Sequence, residues 1–280
     1  MKTIDGRAIA AALSGEVSAQ VADLRADGRV PVLAVVVATD DEATAWYVRS
    51  IERTAAKVGI TCRVDVLDAP DAAAVIKRLD ELSRDPDVHA IVCQTPLPAG
   101  LSLAEAGTHI APAKDVDGAN PASLGRLAAG LPAYAPATAA AVLEILRQEN
   151  VPLAGAEAVV VGRSVVVGKP TALLLVAENA TVTICHSRTA DLAAVCARAD
   201  VLVAAVGRAG LIGPAHVRSG AVVIDVGTSP TTDGRLAGDV DLTGSGNAAA
   251  ITPVPGGVGP VTTMLLMRHT AGAARATLRA

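Results

Sequence analysis

Ala158-Val-Val-Val-Gly-Arg-Ser-Val-Val-Val-Gly-Lys-Pro170 runs from a β-branched apolar segment, through a glycine turn, into residues that can open a helix. A strand, a glycine turn and a helix in that order place backbone N–H groups and a helix N-terminus where a phosphate can sit. The spacing is that of neither standard phosphate loop. Ser164 and Val167 stand at the second and third glycine positions of G-x-G-x-x-G. Gly162 and Gly168 lie one residue too far apart for a Walker A loop, and Pro170 stands where that loop needs a hydroxyl for magnesium. Taken alone, the turn fits a phosphate cradle or a plain structural reversal.

The next strand, Thr181–Cys185, ends in Cys185-His-Ser-Arg-Thr189. A NAD-specific fold carries an acid about 20 residues past the turn, where it binds the ribose 2′-OH. This chain has no acid there. It has the Ser187 hydroxyl and the Arg188 guanidinium, and Arg163 adds a second cation after the first strand. That rim suits a 2′-phosphate, so NADP is favoured over NAD; the alternative for both arginines is solvated surface. His186 reads as a loop residue rather than a catalytic base.

Outward from this turn, apolar runs and helical patterns alternate. After it come a helix over Thr171–Asn179, a helix over Asp191–Ala197, and strands over Val201–Val206 and Ala221–Val226. Before it come strands over Val32–Ala38, Ile60–Leu67 and Val88–Cys93, and helices over Glu42–Val58, Ala72–Ser83 and Thr138–Gln148, with Gly59 as a helix stop. Near-continuous apolar strands separated by helices imply an α/β protein with parallel sheets covered on both faces. The two series imply two lobes, residues 1–138 with a C-terminal helical segment 262–280, and residues 139–261 as a Rossmann-like dinucleotide domain.

Composition bounds the function. The 280 residues include 25 glycines and 51% hydrophobic side chains, with one tryptophan, two tyrosines and no phenylalanine, so the core is aliphatic and the chain is not disordered. With 24 basic against 28 acidic residues, the formal charge is −4 and there is no long basic run. Nucleic acid is a poor partner for such a surface, and a small polar or anionic metabolite a better one. Asp5, Arg7 and Glu16 interrupt any signal-peptide core, and no apolar stretch approaches the roughly 18 residues of a membrane span. Cys62, Cys93, Cys185 and Cys196 show no C-x-x-C spacing, so no metal is expected and reduced thiols in the cytoplasm are.

Five stretches together resemble the bifunctional methylenetetrahydrofolate dehydrogenase/cyclohydrolase family. They are Thr44-Ala-Trp-Tyr-Val-Arg-Ser50, Gln94-Thr-Pro-Leu-Pro98, Lys114-Asp-Val-Asp-Gly118, Gly162-Arg-Ser through Gly168-Lys-Pro170, and Ile251-Thr-Pro-Val-Pro-Gly-Gly-Val-Gly-Pro260. They occur in the family's order along nearly the whole chain. The resemblance implies NADP-dependent oxidation of 5,10-methylenetetrahydrofolate, then hydrolysis of the methenyl product to 10-formyltetrahydrofolate, in a cleft between two lobes. It implies that Tyr47 stacks on the folate, that Gln94 supports catalysis and that Asp117 hydrogen-bonds the pterin. Thr44, standing where the family usually has serine, and Pro255, Gly256 and Gly257 fall to the substrate by the same match. Gly162, Arg163, Ser164, Ser187 and Thr228 fall to the cofactor. A homodimer joined through the cofactor lobe is implied as well.

One departure bears on chemistry. On a helix turning about 100° per residue, Thr44, Tyr47 and Ile51 share a face, at about 0°, 300° and 340°. The family places its catalytic lysine four residues after the tyrosine, where this chain has Ile51. Arg53 and Lys57 lie about 200° and 240° from Ile51 and do not replace it. Ala137, Ala139 and Ala141 replace the family's usual Cys, Pro and Gly, which implies local repacking. Hydride transfer moves no proton and asks mainly for orientation, whereas hydrolysis must deprotonate water and protonate a ring nitrogen. The expectation is a dehydrogenase with weak or absent cyclohydrolase activity. The alternatives are a fully bifunctional enzyme, a non-catalytic protein that binds folate or NADP, and an NADP enzyme acting on another small substrate.

Overall fold

The computed structural model describes residues 1–231, 234–241, 243 and 248–278. The last two positions of the C-terminal segment 262–280 therefore lie outside the described residues. In chain order the elements are β1 (Lys2–Thr3), α1 (Gly6–Ala26), β2 (Val32–Val37), α2 (Glu42–Val58), β3 (Thr61–Val66), α3 (Ala72–Arg84), β4 (Ala90–Cys93), α4 (Leu103–Thr108), α5 (Pro121–Ala128) and α6 (Ala137–Gln148). There follow β5 (Glu157–Val161), α7 (Gly168–Ala177), β6 (Thr181–Cys185), α8 (Leu192–Cys196), β7 (Val201–Ala204), β8 (Val222–Asp225), β9 (Ser229–Pro230), β10 (Leu236–Ala237), β11 (Ala250–Ile251) and α9 (Val258–Ala276). The chain forms two compact units, residues 1–11 with 138–262, and residues 12–137 with 263–280.

In the unit containing residues 138–262, six strands pair in the order β1-β11-β8-β7-β5-β6, every pair parallel. Val159, Val161, Leu202, Ala204 and Val223 build its core with Cys185 and Cys196. Branched and small side chains fill a parallel sheet without aromatics because each strand is covered on both faces. All four cysteines are free thiols. The unit containing residues 12–137 has a three-stranded parallel sheet in the order β3-β2-β4. All six residues of β2 are buried, and Val75, Leu79 and Leu82 of α3 pack into the cluster around β2 and β4.

Several elements end where side chains take over the backbone. β7 stops at Ala204, short of Val206, because the amides of Val206, Gly207 and Arg208 turn to the Asp239 carboxylate. β8 stops at Asp225, whose own carboxylate accepts the Gly227 N–H at 2.9 Å. α7 begins at Gly168 rather than Thr171, since Pro170 is tolerated in a first turn whose N–H groups have no intrahelical partner. It ends before Asn179, which takes φ +65. α2 matches its expected limits, with Asp41 as N-cap and Gly59 at φ +83 as C-cap. Among the described residues, no helix is long and apolar enough to cross a membrane.

Candidate functional site

The residues assigned to folate chemistry on α2, directly after β4 and in the 114–118 segment lie in the unit of residues 12–137 and 263–280. Asp41 opens α2 by accepting the Thr44 N–H at 2.8 Å, and the Thr44 hydroxyl lies 2.8 Å from the same carboxylate oxygen. That hydroxyl is also 3.0 Å from the Thr95 carbonyl oxygen, so its one proton is shared by two acceptors. Thr44 therefore fastens the start of α2 to the loop that carries Gln94. The Gln94 N–H donates to Val36 at 2.9 Å, while its carboxamide has no hydrogen-bond partner among the described residues.

Ile51 is 0% exposed and belongs to the buried stripe Thr44, Val48, Ile51, Ala55 and Val58. Arg53 and Lys57 are on the exposed side of the helix. Trp46 is exposed as well, whereas Tyr47 is half-buried. Burial, and then the nearby Asp117 charge, raise the Tyr47 phenol well above its usual range, against a hydrogen bond from the Thr263 side chain of α9. Tyr47 is thus held protonated.

The two aspartates of Lys114-Asp-Val-Asp-Gly118 have different surroundings. Asp115 is 0% exposed and accepts the N–H groups of Ala119 at 2.8 Å and Asn120 at 3.0 Å, and the Ser123 hydroxyl at 2.5 Å. Lys114 donates to the Leu82 and Asp85 carbonyls at the end of α3. Both are occupied in holding the chain. Asp117 keeps part of its surface open and accepts one N–H, from Ala137 at 3.1 Å. Burial pushes its carboxyl up to about 6, and Asp115 adds to the rise. Gly118 turns beneath it at φ +64, where a Cβ would meet Pro136 Cδ at 2.6 Å.

In the other unit, Gly162 closes β5 at φ +133, and a Cβ there would lie 2.2 Å from the Ala205 carbonyl oxygen. A Cβ on Gly168 would lie 2.2 Å from the Gly162 carbonyl oxygen, so Gly168 permits the close strand–helix packing of a third fingerprint glycine despite its shifted spacing. The Ser164 hydroxyl accepts the Val167 and Gly168 N–H groups at 3.1 and 3.3 Å. Val161 pairs with Cys185, so Arg163 and the exposed Ser187 and Arg188 emerge at the same sheet edge. Neither guanidinium has a carboxylate within ion-pair distance among the described residues. His186 is a loop residue, its Nδ1 accepting the Arg188 N–H at 3.1 Å. Thr228 follows β8 on this edge, three strand spacings from β6, or about 14 Å. The chain moves from β5 to β6 on one side and to β7 on the other, a switch point at which dinucleotides bind.

Pro255, Gly256 and Gly257 also belong to this unit. Gly256 takes φ +107, and a Cβ on Gly6 would lie 1.7 Å from the Gly257 carbonyl oxygen. A Cβ on Gly257 would itself lie 2.6 Å from the Pro253 carbonyl oxygen, so the backbone at Gly257 leaves no room for a side chain.

Residues 4–117 match the catalytic domain of the tetrahydrofolate dehydrogenase/cyclohydrolase family, and residues 136–278 match its NAD(P)-binding domain. The chain belongs to that family. Bifunctional protein FolD 1 of Saccharopolyspora erythraea is 59% identical over 271 residues, 96% of this chain and 92% of its own length. A FolD methylenetetrahydrofolate dehydrogenase/cyclohydrolase from Campylobacter jejuni, solved as a crystal structure, superposes with TM-score 0.96 at 34% identity over 99% of each chain. The Trypanosoma brucei FolD, solved with NADP cofactor and an inhibitor, superposes with TM-score 0.94 at 38% identity, covering 99% of this chain and 98% of its own.

Within this family chain, the catalytic-domain unit contains two polar contacts that the motif reading leaves out. Thr263 reaches the Tyr47 phenol. The His269 ring is 2.9 Å from the Val116 carbonyl oxygen and lies against Tyr134, with ring centroids 5.2 Å apart. Both come from α9, far along the chain from the motifs they support. The NAD(P)-binding unit likewise hides Asp225 and Asp239, buried carboxylates with no counterpart among the motif residues. A charged residue closing the apolar run Val222-Val-Ile-Asp225 is the signal that could have found the first.

Proposed function

We propose that this protein oxidises 5,10-methylenetetrahydrofolate to the methenyl form with NADP⁺, and hydrolyses that product weakly or not at all. The observation that carries the proposal is the buried face of α2. Tyr47 opens onto Asp117 while Ile51, at the position the family gives to lysine, is an alkyl group with no exposure. No cation of α2 shares that face, because Arg53 and Lys57 are solvent-exposed.

Each residue has a role within the reading. Tyr47 stacks on the pterin, and Asp117 accepts its ring N–H groups in the ionised form. Gln94, whose carboxamide has no hydrogen-bond partner among the described residues, supports the reacting one-carbon unit, and Thr44 holds the Gln94 loop. The cradle fits a dinucleotide: the Gly162 turn is open where a Cβ would close it, and unpaired Arg163 and Arg188, with Ser187, face a 2′-phosphate. Ser164 and Thr228 line the same edge. NADP⁺ supplies the hydride acceptor when bound. Pro255, Gly256 and Gly257 offer backbone to the substrate. The chain's own part in oxidation is orientation, since loss of hydride from the methylene carbon leaves a delocalised cation and moves no proton. Neutral Ile51 does not oppose that charge. Hydrolysis needs a group that gives and takes protons beside the substrate, which an alkyl chain cannot do.

Full bifunctionality is the second reading. Asp117, at about 6, exchanges its proton near neutrality and could serve water attack in place of an amine. A cytoplasmic homodimer joined through the NAD(P)-binding unit belongs to the proposal too: β6 is an edge strand, and Ile184 and Val176 beside it are exposed. Mixing the protein with methylenetetrahydrofolate and NADP⁺, and following NADPH and methenyl absorbance together, tests the main reading. Absence of NADPH at any protein concentration overturns it. Decay of added methenyltetrahydrofolate well above the buffer rate favours the second reading.

A further inference from the structure

Asp239 is 0% exposed, and the three hydrogen bonds to its carboxylate among the described residues come from backbone N–H groups of one loop: Val206 at 2.6 Å and Gly207 at 3.1 Å on Oδ2, and Arg208 at 2.8 Å on Oδ1. Asp225, also buried, accepts Gly227 and Asp239 N–H on one oxygen at 2.9 Å each, and Val240 N–H on the other at 3.0 Å. The Asp225 N–H in turn donates to the Thr252 hydroxyl at 2.8 Å. Space for the two carboxylates is made by glycine. A Cβ on Gly227 would lie 2.5 Å from Asp239 Oδ1, and one on Gly238 would lie 1.9 Å from Asp225 Oδ2.

Among the described residues, the six hydrogen bonds to the two carboxylates all come from backbone N–H donors. Such surroundings suit carboxylates, whose acceptor capacity they use, and leave no place for a carboxamide –NH₂. The loop that Asp239 holds follows β7, and Ala205 at its start presses against the Gly162 turn that follows β5. Asp225 fixes Gly227, next to Thr228, at the end of β8. The edge at the β5/β7 switch point is thus shaped by buried carboxyl groups bonded to backbone, not by the strand ladder alone.

We propose that Asp239, seated on Asp225, is a positioning residue for the dinucleotide, holding the β7 edge loop in its binding conformation before the cofactor arrives. This rests on the reading that the edge binds NADP(H). Asp239 does not touch the cofactor; it acts through the 206–208 backbone, so its loss should fall on cofactor binding and leave folate binding nearly intact.

The test is Asp239→Asn in the full chain, with NADPH binding read by its fluorescence and KM measured for NADP⁺ and for methylenetetrahydrofolate. A carboxamide turns one acceptor into a donor aimed at N–H groups, and a lost or reversed charge-assisted bond corresponds to about tenfold or more in cofactor Kd and KM. The folate KM should change by less than about threefold, and Asp191→Asn, the same carboxyl-to-carboxamide change at the N-cap of α8 in the same unit, where Asn also caps, should leave cofactor binding unchanged. Equal NADPH affinity in a folded Asp239→Asn protein overturns the inference, as does an equal rise in both KM values. If the wild-type protein fails to bind NADPH, the functional reading itself fails instead. Should Asp239→Asn not fold, hydrogen exchange on the wild-type protein decides. Amides of Val206, Gly207 and Arg208 protected without cofactor support a preformed edge, and amides protected only after NADPH is added overturn it.

Discussion

His269 holds the Val116 carbonyl at 2.9 Å, one residue before Asp117. The acceptor is a carbonyl, so Nδ1 carries the proton and the imidazole is fixed in one tautomer. Burial keeps the ring neutral by pushing its pKa down to about 4. Tyr134 backs the ring on one side, so α9 sets the backbone from which Asp117 projects.

Replacing His269 with leucine should therefore leave a partly buried carbonyl unpaired, costing about 1–3 kcal/mol in urea unfolding. The folate KM should rise several-fold with little change in the KM for NADP⁺. His269→Asn, whose carboxamide can donate to the same carbonyl, should recover most of both losses. Equal behaviour of the two variants would show that ring volume, not the hydrogen bond, is what matters.

Asp117 carries a cost to the fold that Asp117→Asn should remove. Burial raises its pKa from 3.8 to about 6, so in the range between these values the folded state binds more protons than the unfolded one. Stability contributed by the protonated form is present in acid and is lost as pH rises through about 6. Asp117→Asn should then be more stable than the wild type by roughly 1–3 kcal/mol at pH 8, the difference shrinking towards pH 4. The same change should raise the folate KM sharply, and the wild-type folate KM should rise as pH falls below about 6. A urea midpoint for Asp117→Asn that is lower at pH 8 would contradict this.

Arg188 leaves the end of β6 with no carboxylate partner among the described residues, so removing it breaks nothing within the fold. Arg188→Ala should weaken NADP⁺ by about tenfold to a hundredfold, the range of a charge-assisted phosphate contact, and change NAD⁺ by less than threefold or so. Steady-state KM values for both cofactors check it. Parallel loss for both would place Arg188 on the shared part of the dinucleotide.

Much of the fold is legible from local pattern. α2 carries its own start and stop signals in Asp41 and Gly59, so its limits follow without tertiary information. β2 and the Ala158–Val161 stretch of β5 are unbroken apolar runs, and their burial on both faces follows from that. β1 and β11 are two residues each and exist only through parallel pairing with each other and with β8, which no window of sequence contains. α1 is rich in alanine, and its stripe Ile9, Leu13, Val17, Val21 and Leu24 is diluted by small residues that read as neutral. The same division runs through the candidate site. Tyr47, Gln94 and Asp117 sit in compact motifs. His269 meets Val116 across 153 residues, and Asp239 meets Val206 across 33, so only the folded chain brings them together.

Ile51 allows the sharpest test, because its burial makes two effects of Ile51→Lys separable. A lysine there must lead its ammonium out of the stripe formed by Val48, Ala55 and Val58, or remain neutral. Urea unfolding at pH 7.5 should register a loss of roughly 1–3 kcal/mol. The beneficial direction for the stem is along the helix towards Tyr47, one turn back, where Asp117 supplies a counter-charge. If the amine reaches that position with a lowered pKa, methenyltetrahydrofolate hydrolysis should rise at least tenfold or so above the wild type, while NADPH formation changes little. Ile51→Met, of similar volume but unable to carry a proton, should leave hydrolysis at the wild-type level. A hydrolysis rate equal in wild type, Ile51→Lys and Ile51→Met would mean that position 51 does not govern this step, and that Asp117 is the proton-exchanging group to pursue.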